Sequence, residues 1–266
     1  MTDLGSLIYR TADEEGEVHV YEDRRFRYLT FGNAVEQSCL NLLRPVRLEY
    51  AYTQAMLLPL VFGRDVRRLL LLGTGGGSLA RALRAADRGF RILGVDRRQA
   101  VLDVARAYFH LPDDRHFEAV CQDADDFLQS RGALHDLIFA DLYLAEGMYP
   151  GQIAESFLRL CRERLTEDGV LVVNQWASEF QTSRAAFIAL TEVFDGQVLH
   201  LHVQGGNIIA FAFRGNLPDL QRDRLFAAAQ ALGLRLDIPL QRHARNLWRQ
   251  NAELLGVGRF NRRRVR

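Results

Sequence analysis

Three aspartates, Asp96, Asp123 and Asp141, each stand at or just after the end of a short apolar run, and a glycine-rich turn, Gly73-Thr74-Gly75-Gly76-Gly77, precedes them in the chain. A β-type run cannot bend sharply into a helix without positions that tolerate positive φ and close backbone approach, and such a turn supplies them. An acid about twenty residues on, at the end of the next strand, has the reach to accept hydrogen bonds from ribose hydroxyls, and this is the role the spacing gives Asp96. Asp123 is placed to accept from the exocyclic amine of adenine. Acids at successive strand ends project toward the crevice where open α/β sheets bind ligands. Any one of them alone reads equally well as a helix cap or a loop carboxylate. Together they point to a nucleoside site.

Other chemistries are disfavoured. The glycine turn does not fit the dinucleotide spacing and lacks the Gly-Lys-Ser/Thr ending of a P-loop. The chain contains no lysine, so all 34 of its positive side chains are arginines and Schiff-base chemistry is excluded. Cys39, Cys121 and Cys161 are far apart and odd in number, which indicates neither a disulfide framework nor a zinc site. His200 and His202 share one strand face without a carboxylate or cysteine beside them, a poor metal set, so no metal is expected. A net charge of +1 gives no general attraction to nucleic acid or membrane. The arginine-rich residues 261–266 read as a solvated end. No apolar run reaches the eighteen or so residues a spanning helix needs, and the first residues lack a secretion signal, so the expectation is a cytoplasmic protein.

The elements that must position the acids follow from periodicity. At 266 residues and 48% hydrophobic, the chain is long enough for one full α/β domain and a smaller one. Residues 17–39 alternate like half-buried strands of a small antiparallel sheet, and residues 48–62 carry apolar groups at helical spacing. A βαβ unit covers 68–96, a helix 97–110, and short strands 117–121 and 136–140 end on Asp123 and Asp141. A helix is expected over 153–165 with Gly169 as its cap, and then a buried strand over 170–173. A further helix over 184–194 leads to a hairpin of strands 198–203 and 207–213, which completes a seven-stranded sheet. Two more helices, over 220–232 and 242–255, follow. The expected architecture is thus an α/β, Rossmann-like seven-stranded fold behind a small antiparallel β-domain. Its divisions are 1–47, 48–216 and a C-terminal helical extension, 217–266.

Several segments together resemble the spermidine synthase family of aminopropyltransferases, over roughly residues 18–213. These are Tyr50-Ala51-Tyr52-Thr53-Gln54, the glycine turn from Gly73 to Leu79, and Asp103-Val104-Ala105-Arg106-Ala107-Tyr108. Asp123 in Gln-Asp-Ala, Glu167-Asp168-Gly169-Val170-Leu171-Val172 and Gln175 complete the likeness. The resemblance implies an S-adenosylmethionine-dependent transferase fold and transfer of an aminopropyl group from decarboxylated S-adenosylmethionine to an amine, releasing methylthioadenosine. It implies donor contacts from Gly73, Gly75, Gly76, Gly77, Asp96, Asp123 and Ala124, acceptor contacts from Tyr52, Gln54 and Gln175, Asp141 as the base, and a homodimer.

The departures bear on the substrate. Where the family's glycine motif carries an acid that grips the donor's amine, this chain has Gly75. Its gate loop reads Asp141-Leu142-Tyr143-Leu144-Ala145, so the second acid of the family's Asp-Ser-Ser-Asp-Pro is Leu144, with Glu146 as a substitute if the loop folds differently. Val203 stands near the place of an expected tyrosine. A diamine that loses paired carboxylates is expensive to desolvate, which makes putrescine doubtful. Two alternatives stay open. One is a methyltransferase using S-adenosylmethionine itself, since Gly75 no longer repels its carboxylate. The other is a non-catalytic nucleoside-binding homologue.

Overall fold

The computed structural model describes residues 4–33, 35–130, 132–145, 147–176 and 180–255, so Glu146 and residues 261–266 lie outside the described residues. The chain opens with β1 (Ser6–Asp13), β2 (Gly16–Glu22), β3 (Phe26–Thr30) and β4 (Glu36–Asn41), paired in sequence order as an antiparallel sheet. The strand β1 lies outside the segment whose alternation announced this sheet, because most of its residues are exposed and no periodicity marks it. The sheet buries Val18, Val20, Leu29 and Leu40 against Val101, Val104 and Phe109 farther along the chain.

Next come α1 (Ala51–Met56), β5 (Arg68–Leu72), α2 (Ser78–Ala86), β6 (Arg91–Asp96), α3 (Gln99–Tyr108), β7 (Phe117–Cys121), α4 (Ala124–Gln129) and β8 (His135–Ala140). The helix expected over 48–62 is shorter, ending at Met56 with a 3₁₀ turn Leu58–Val61 after it. Pro59 has no amide hydrogen with which to continue the α-helical ladder. A small hairpin, β9 (Tyr143–Leu144) and β10 (Gly147–Met148), occupies what read as loop. The chain continues through α5 (Glu155–Glu163), β11 (Leu165–Trp176), α6 (Phe180–Val193), β12 (Val198–His202), β13 (Asn207–Phe213), α7 (Arg222–Leu236) and α8 (Leu240–Gln250). Gly169 does not cap the helix before it. It lies inside β11, at a register break between Leu165 and Val170, where a Cβ would stand 2.9 Å from the Thr166 carbonyl oxygen.

The seven-stranded sheet runs β12-β13-β11-β8-β5-β6-β7, all parallel except β13. Alternation along the strands sends Leu69, Leu71, Phe139 and Val172 to a core shared with α1, α2, α7 and α8, and Leu70, Leu72, Ile138 and Val173 to one shared with α4, α5 and α6. The chain builds outward from β5 to β7 and then returns to β8 on the other side of β5. The strand order therefore reverses between β5 and β8, and a crevice opens above their carboxyl ends. Gly73 and Asp141 meet there. Gly73 has φ +88°, and a Cβ on it would lie 2.3 Å from the Asp141 carbonyl oxygen, so the position excludes a side chain.

Candidate active site

Above that reversal lies a cavity of about 380 Å³, walled by the ends of β5, β6 and β8, the start of α4, the β9–β10 hairpin and one edge of the small sheet. Asp96, Asp123 and Asp141 all line it, as do Gly73, Gly75, Ala124 and Tyr52.

Each acid is held differently. Asp96 Oδ2 accepts from the Gly75 amide at 2.9 Å and Oδ1 from the Arg98 amide at 3.1 Å, so the carboxylate ties the glycine turn to the start of α3. Burial nevertheless leaves its pKa raised, against the pull of those bonds. Asp123 caps α4, its Oδ1 accepting from Asp125 and Asp126 at 2.8 and 3.4 Å, and among the described residues nothing donates to Oδ2. Asp141 Oδ1 accepts from Asn174 Nδ2 at 2.8 Å, and the Tyr52 hydroxyl donates to the same carboxyl group. Removal from water pushes Asp141 up to about 6, more than the Asn174 and Tyr52 bonds pull it down.

Asn174 is fully buried and organises this end of the cavity. Its Oδ1 accepts from Asn207 Nδ2 at 2.9 Å, its Nδ2 also reaches the Tyr143 hydroxyl at 3.2 Å, and its carbonyl accepts from Gln152 Nε2. Gln152 Oε1 in turn holds the amide of Leu142. Asn207 occupies the amide oxygen of Asn174, whose Nδ2 faces Asp141 and Tyr143.

A second carboxylate mirrors the first. Tyr50 and Tyr52 stack with ring centroids 5.8 Å apart and planes 9° from parallel. Tyr52 donates to Asp141, and Tyr50 donates to Glu36 Oε2 at 2.6 Å. Glu36 comes from β4 of the small sheet and also lines the cavity. Ser38, two residues along, accepts the Gly76 amide at 3.0 Å and sits 3.4 Å from where a Cβ on Gly75 would be.

Four residues expected at the site lie elsewhere. Gly76 and Gly77 shape the turn without lining the cavity: the Gly76 amide is taken by Ser38, and the Gly77 amide by the Thr74 carbonyl. Gln54 is buried under α8, donating to the Leu48 carbonyl at 2.7 Å, with Oε1 3.2 Å from His243 Nε2. Gln175 follows Leu171 and Val173 onto the opposite face of β11, since side chains alternate along a strand, and its neighbour Asn174 takes the place at the cavity. Sequence reasoning missed Glu36, Asn174 and Asn207. The one signal was polarity: Asn174 and Asn207 interrupt or adjoin otherwise apolar strand runs.

No family model matches the chain. The polyamine aminopropyltransferase of Neisseria meningitidis serogroup A is 31% identical over 220 residues, 81% of this chain and 83% of that protein. The chain belongs to the polyamine aminopropyltransferase family. Membership makes it a transferase. Among solved structures, a spermidine synthase in complex with the transition-state analogue AdoDATO superposes with a TM-score of 0.69 at 17% identity, covering 94% of this chain and 87% of that one. Human methyltransferase-like protein 13 in complex with SAH superposes with a TM-score of 0.58 at 23% identity, over 71% of this chain and 90% of that one. Both likenesses show that the aminopropyltransferase chain shares its fold with the two classes of structure. Among the described residues there is no group of three or more His, Cys, Asp or Glu placed to hold a metal, and no helix long and apolar enough to cross a membrane.

Proposed function

We propose that the cavity binds decarboxylated S-adenosylmethionine and transfers its aminopropyl group to an amine, with Asp141 as the base. The observation that carries this reading is a carboxylate poised near pH 6 in the same cavity as the glycine turn, Asp96 and Asp123. The residues present fit such a donor. Asp96 meets the ribose, and Asp123 offers Oδ2 to the adenine amine. Glu36 takes the ammonium of the aminopropyl chain, supplying from β4 the charge that Gly75 lacks. The donor supplies a carbon activated by its sulfonium. Asp141 receives a proton from the acceptor's ammonium, whose pKa of about 10 otherwise leaves the nitrogen without a lone pair. That lone pair forms the new C–N bond, the C–S pair returns to sulfur, and methylthioadenosine leaves. Holding nitrogen, carbon and sulfur in line supplies several kcal/mol, about 7 in favourable cases.

The cavity's charge favours the decarboxylated donor over S-adenosylmethionine. Its lining carries Glu15, Glu36, Asp96, Asp123 and Asp141 against Arg97 and Arg98, and these arginines are already paired with Glu15 and Asp13. A methionine carboxylate entering here meets like charge, and among the described residues lining the cavity there is no unpaired cation beside it. Calorimetry with both donors tests the assignment: the decarboxylated one binds at least about tenfold more tightly, and methylthioadenosine is released from it when amines are added. Tighter binding of S-adenosylmethionine, with methyl transfer to any acceptor, overturns the reading.

A further inference from the structure

Outside the donor cavity, α2 carries a second concentration of charge. Arg81, Arg84 and Ala85 share one face of the helix, and Arg88 follows just past its end. With Pro45, Val46 and residues of the segment 110–116 they line an open groove of about 690 Å³, which has no described residue in common with the donor cavity. Arg81 lies deepest, 6% exposed. Its Nε donates to the Pro45 carbonyl at 3.0 Å, one terminal nitrogen donates to the Gly76 carbonyl at 2.6 Å and to that of Phe109, and the other donates to the Ser78 hydroxyl at 3.1 Å. All four acceptors are neutral. Burial lowers its pKa to about 10, so the guanidinium is still charged at neutral pH, taken out of water and set against dipoles.

The groups around it add to the charge. Arg84 is spent on the Arg88 and Phe90 carbonyls and on Asp114, which it meets at 3.0 Å. Asp114, the one carboxylate lining the groove among the described residues, also accepts the His116 amide at 2.8 Å. Arg88 and Arg115 are exposed at the rim, and Arg115 Nε donates to His116 Nε2 at 3.1 Å, which orients its guanidinium. Four arginines thus face one carboxylate in this groove, in a chain whose net charge is only +1. An anion with several charged oxygens supplies the compensating charge, because guanidinium forks match phosphoryl oxygens two at a time. We propose that the groove binds a polyphosphate chain, free or as the tail of a nucleoside triphosphate, with Arg81 at its floor and Arg88 and Arg115 holding it from the rim. Pro45, Val46, Ala85 and Pro112 supply apolar surface for the nucleoside of the second form.

The test is calorimetric titration of the full chain with inorganic triphosphate and, separately, with uridine triphosphate, at about 0.15 M salt. The carboxylate-lined donor cavity repels both probes, so the outcome does not depend on what that cavity binds. Inorganic triphosphate is expected to saturate one site per chain with a Kd below about 0.1 mM. Tighter binding of uridine triphosphate assigns the apolar side of the groove to a nucleoside, and equal binding assigns the site to the phosphate chain alone. Arg88→Ser combined with Arg115→Ser is expected to weaken both probes by about tenfold or more, and since both side chains are exposed the double variant keeps its fold. Arg235→Ser, which removes an exposed arginine of α7 outside the groove, leaves binding within about twofold. No saturable binding of either probe, unchanged binding in the double variant, or an equal loss in Arg235→Ser overturns the proposal.

Discussion

At the scale of single residues, the reaction's pH dependence belongs to Asp141. Its pKa is raised to about 6, first by burial. The protonated form cannot take a proton from the acceptor, so kcat/KM falls about tenfold per pH unit below 6 and levels off above it, where an ordinary carboxylate would give an acid limb near 4. The Tyr52 hydroxyl stabilises the ionised form, so Tyr52→Phe moves the limb to higher pH, and Asp141→Asn lowers kcat by about 10²–10⁴ while donor binding persists. An acid limb near pH 4 in the wild-type profile would show that Asp141 is not the proton acceptor. Glu36 makes a separate prediction. Methylthioadenosine shares the donor's adenosine but lacks its ammonium. Glu36→Gln therefore weakens the decarboxylated donor by about tenfold or more and leaves methylthioadenosine unchanged in parallel calorimetric titrations. Equal losses for both ligands would assign Glu36 to the wall of the cavity and not to the charge.

At the scale of elements, the site depends on which face of β11 a residue occupies. Asn174 lies with Val170 and Val172 toward α1 and Tyr52, and Gln175 lies with Leu171 and Val173 toward α5 and α6, where its buried Nε2 has no partner among the described residues. Asn174→Ala is expected to lower kcat by about tenfold or more and to move the acid limb up, since it removes the larger of the two bonds that stabilise the Asp141 carboxylate. Gln175→Leu is expected to leave kcat/KM within about twofold and to stabilise the fold by about 1 kcal/mol in urea denaturation, because it removes an unsatisfied buried amide. The opposite pattern would mean that the strand faces are exchanged. The same alternation explains what the sequence could and could not convey. The strand ends bearing Asp96, Asp123 and Asp141 were legible, because apolar runs closing on an acid locate the edge of a sheet. The facing of Asn174 and Gln175 was not, because adjacent polar residues at the end of a strand carry no sign of which points inward. Gln54 was misassigned for a related reason: only the packing of α8 shows that its amide is spent on Leu48 and His243. Glu36 reaches the site from the small sheet through a long-range contact that no local pattern encodes.

At the scale of the whole molecule, the cavity exists only while the small sheet stays docked, because β4 contributes Glu36 and Ser38 to its wall. The docking is partly apolar, through Val18, Val20, Leu29 and Leu40 against α3, and partly ionic. Arg98, at the start of α3, is buried under the Phe31 ring and grips Asp13 of β1 with two bonds of 2.9 and 2.7 Å, and it also donates to the Gly16 carbonyl. The Arg98 hydrogen bond is the largest influence on Asp13 and holds its carboxyl below the usual 3.8. A lowered carboxylate adds stability that is present above the unfolded value near 4 and is lost as pH falls through the folded value. Arg98→Gln is therefore expected to cost about 2 kcal/mol at pH 7, between the range for an exposed pair and that for a fully buried one, and the cost shrinks as the pH is taken toward 3. Urea denaturation at the two pH values measures it. Loosening the sheet also displaces the wall carrying Glu36 and Ser38, so the same variant binds methylthioadenosine more weakly by about threefold or more, and Asp13→Asn follows it in both respects. A variant that loses the stability yet keeps the full affinity would show that the cavity wall stays in place without this clamp, and that the small sheet is held to the site by its apolar face alone.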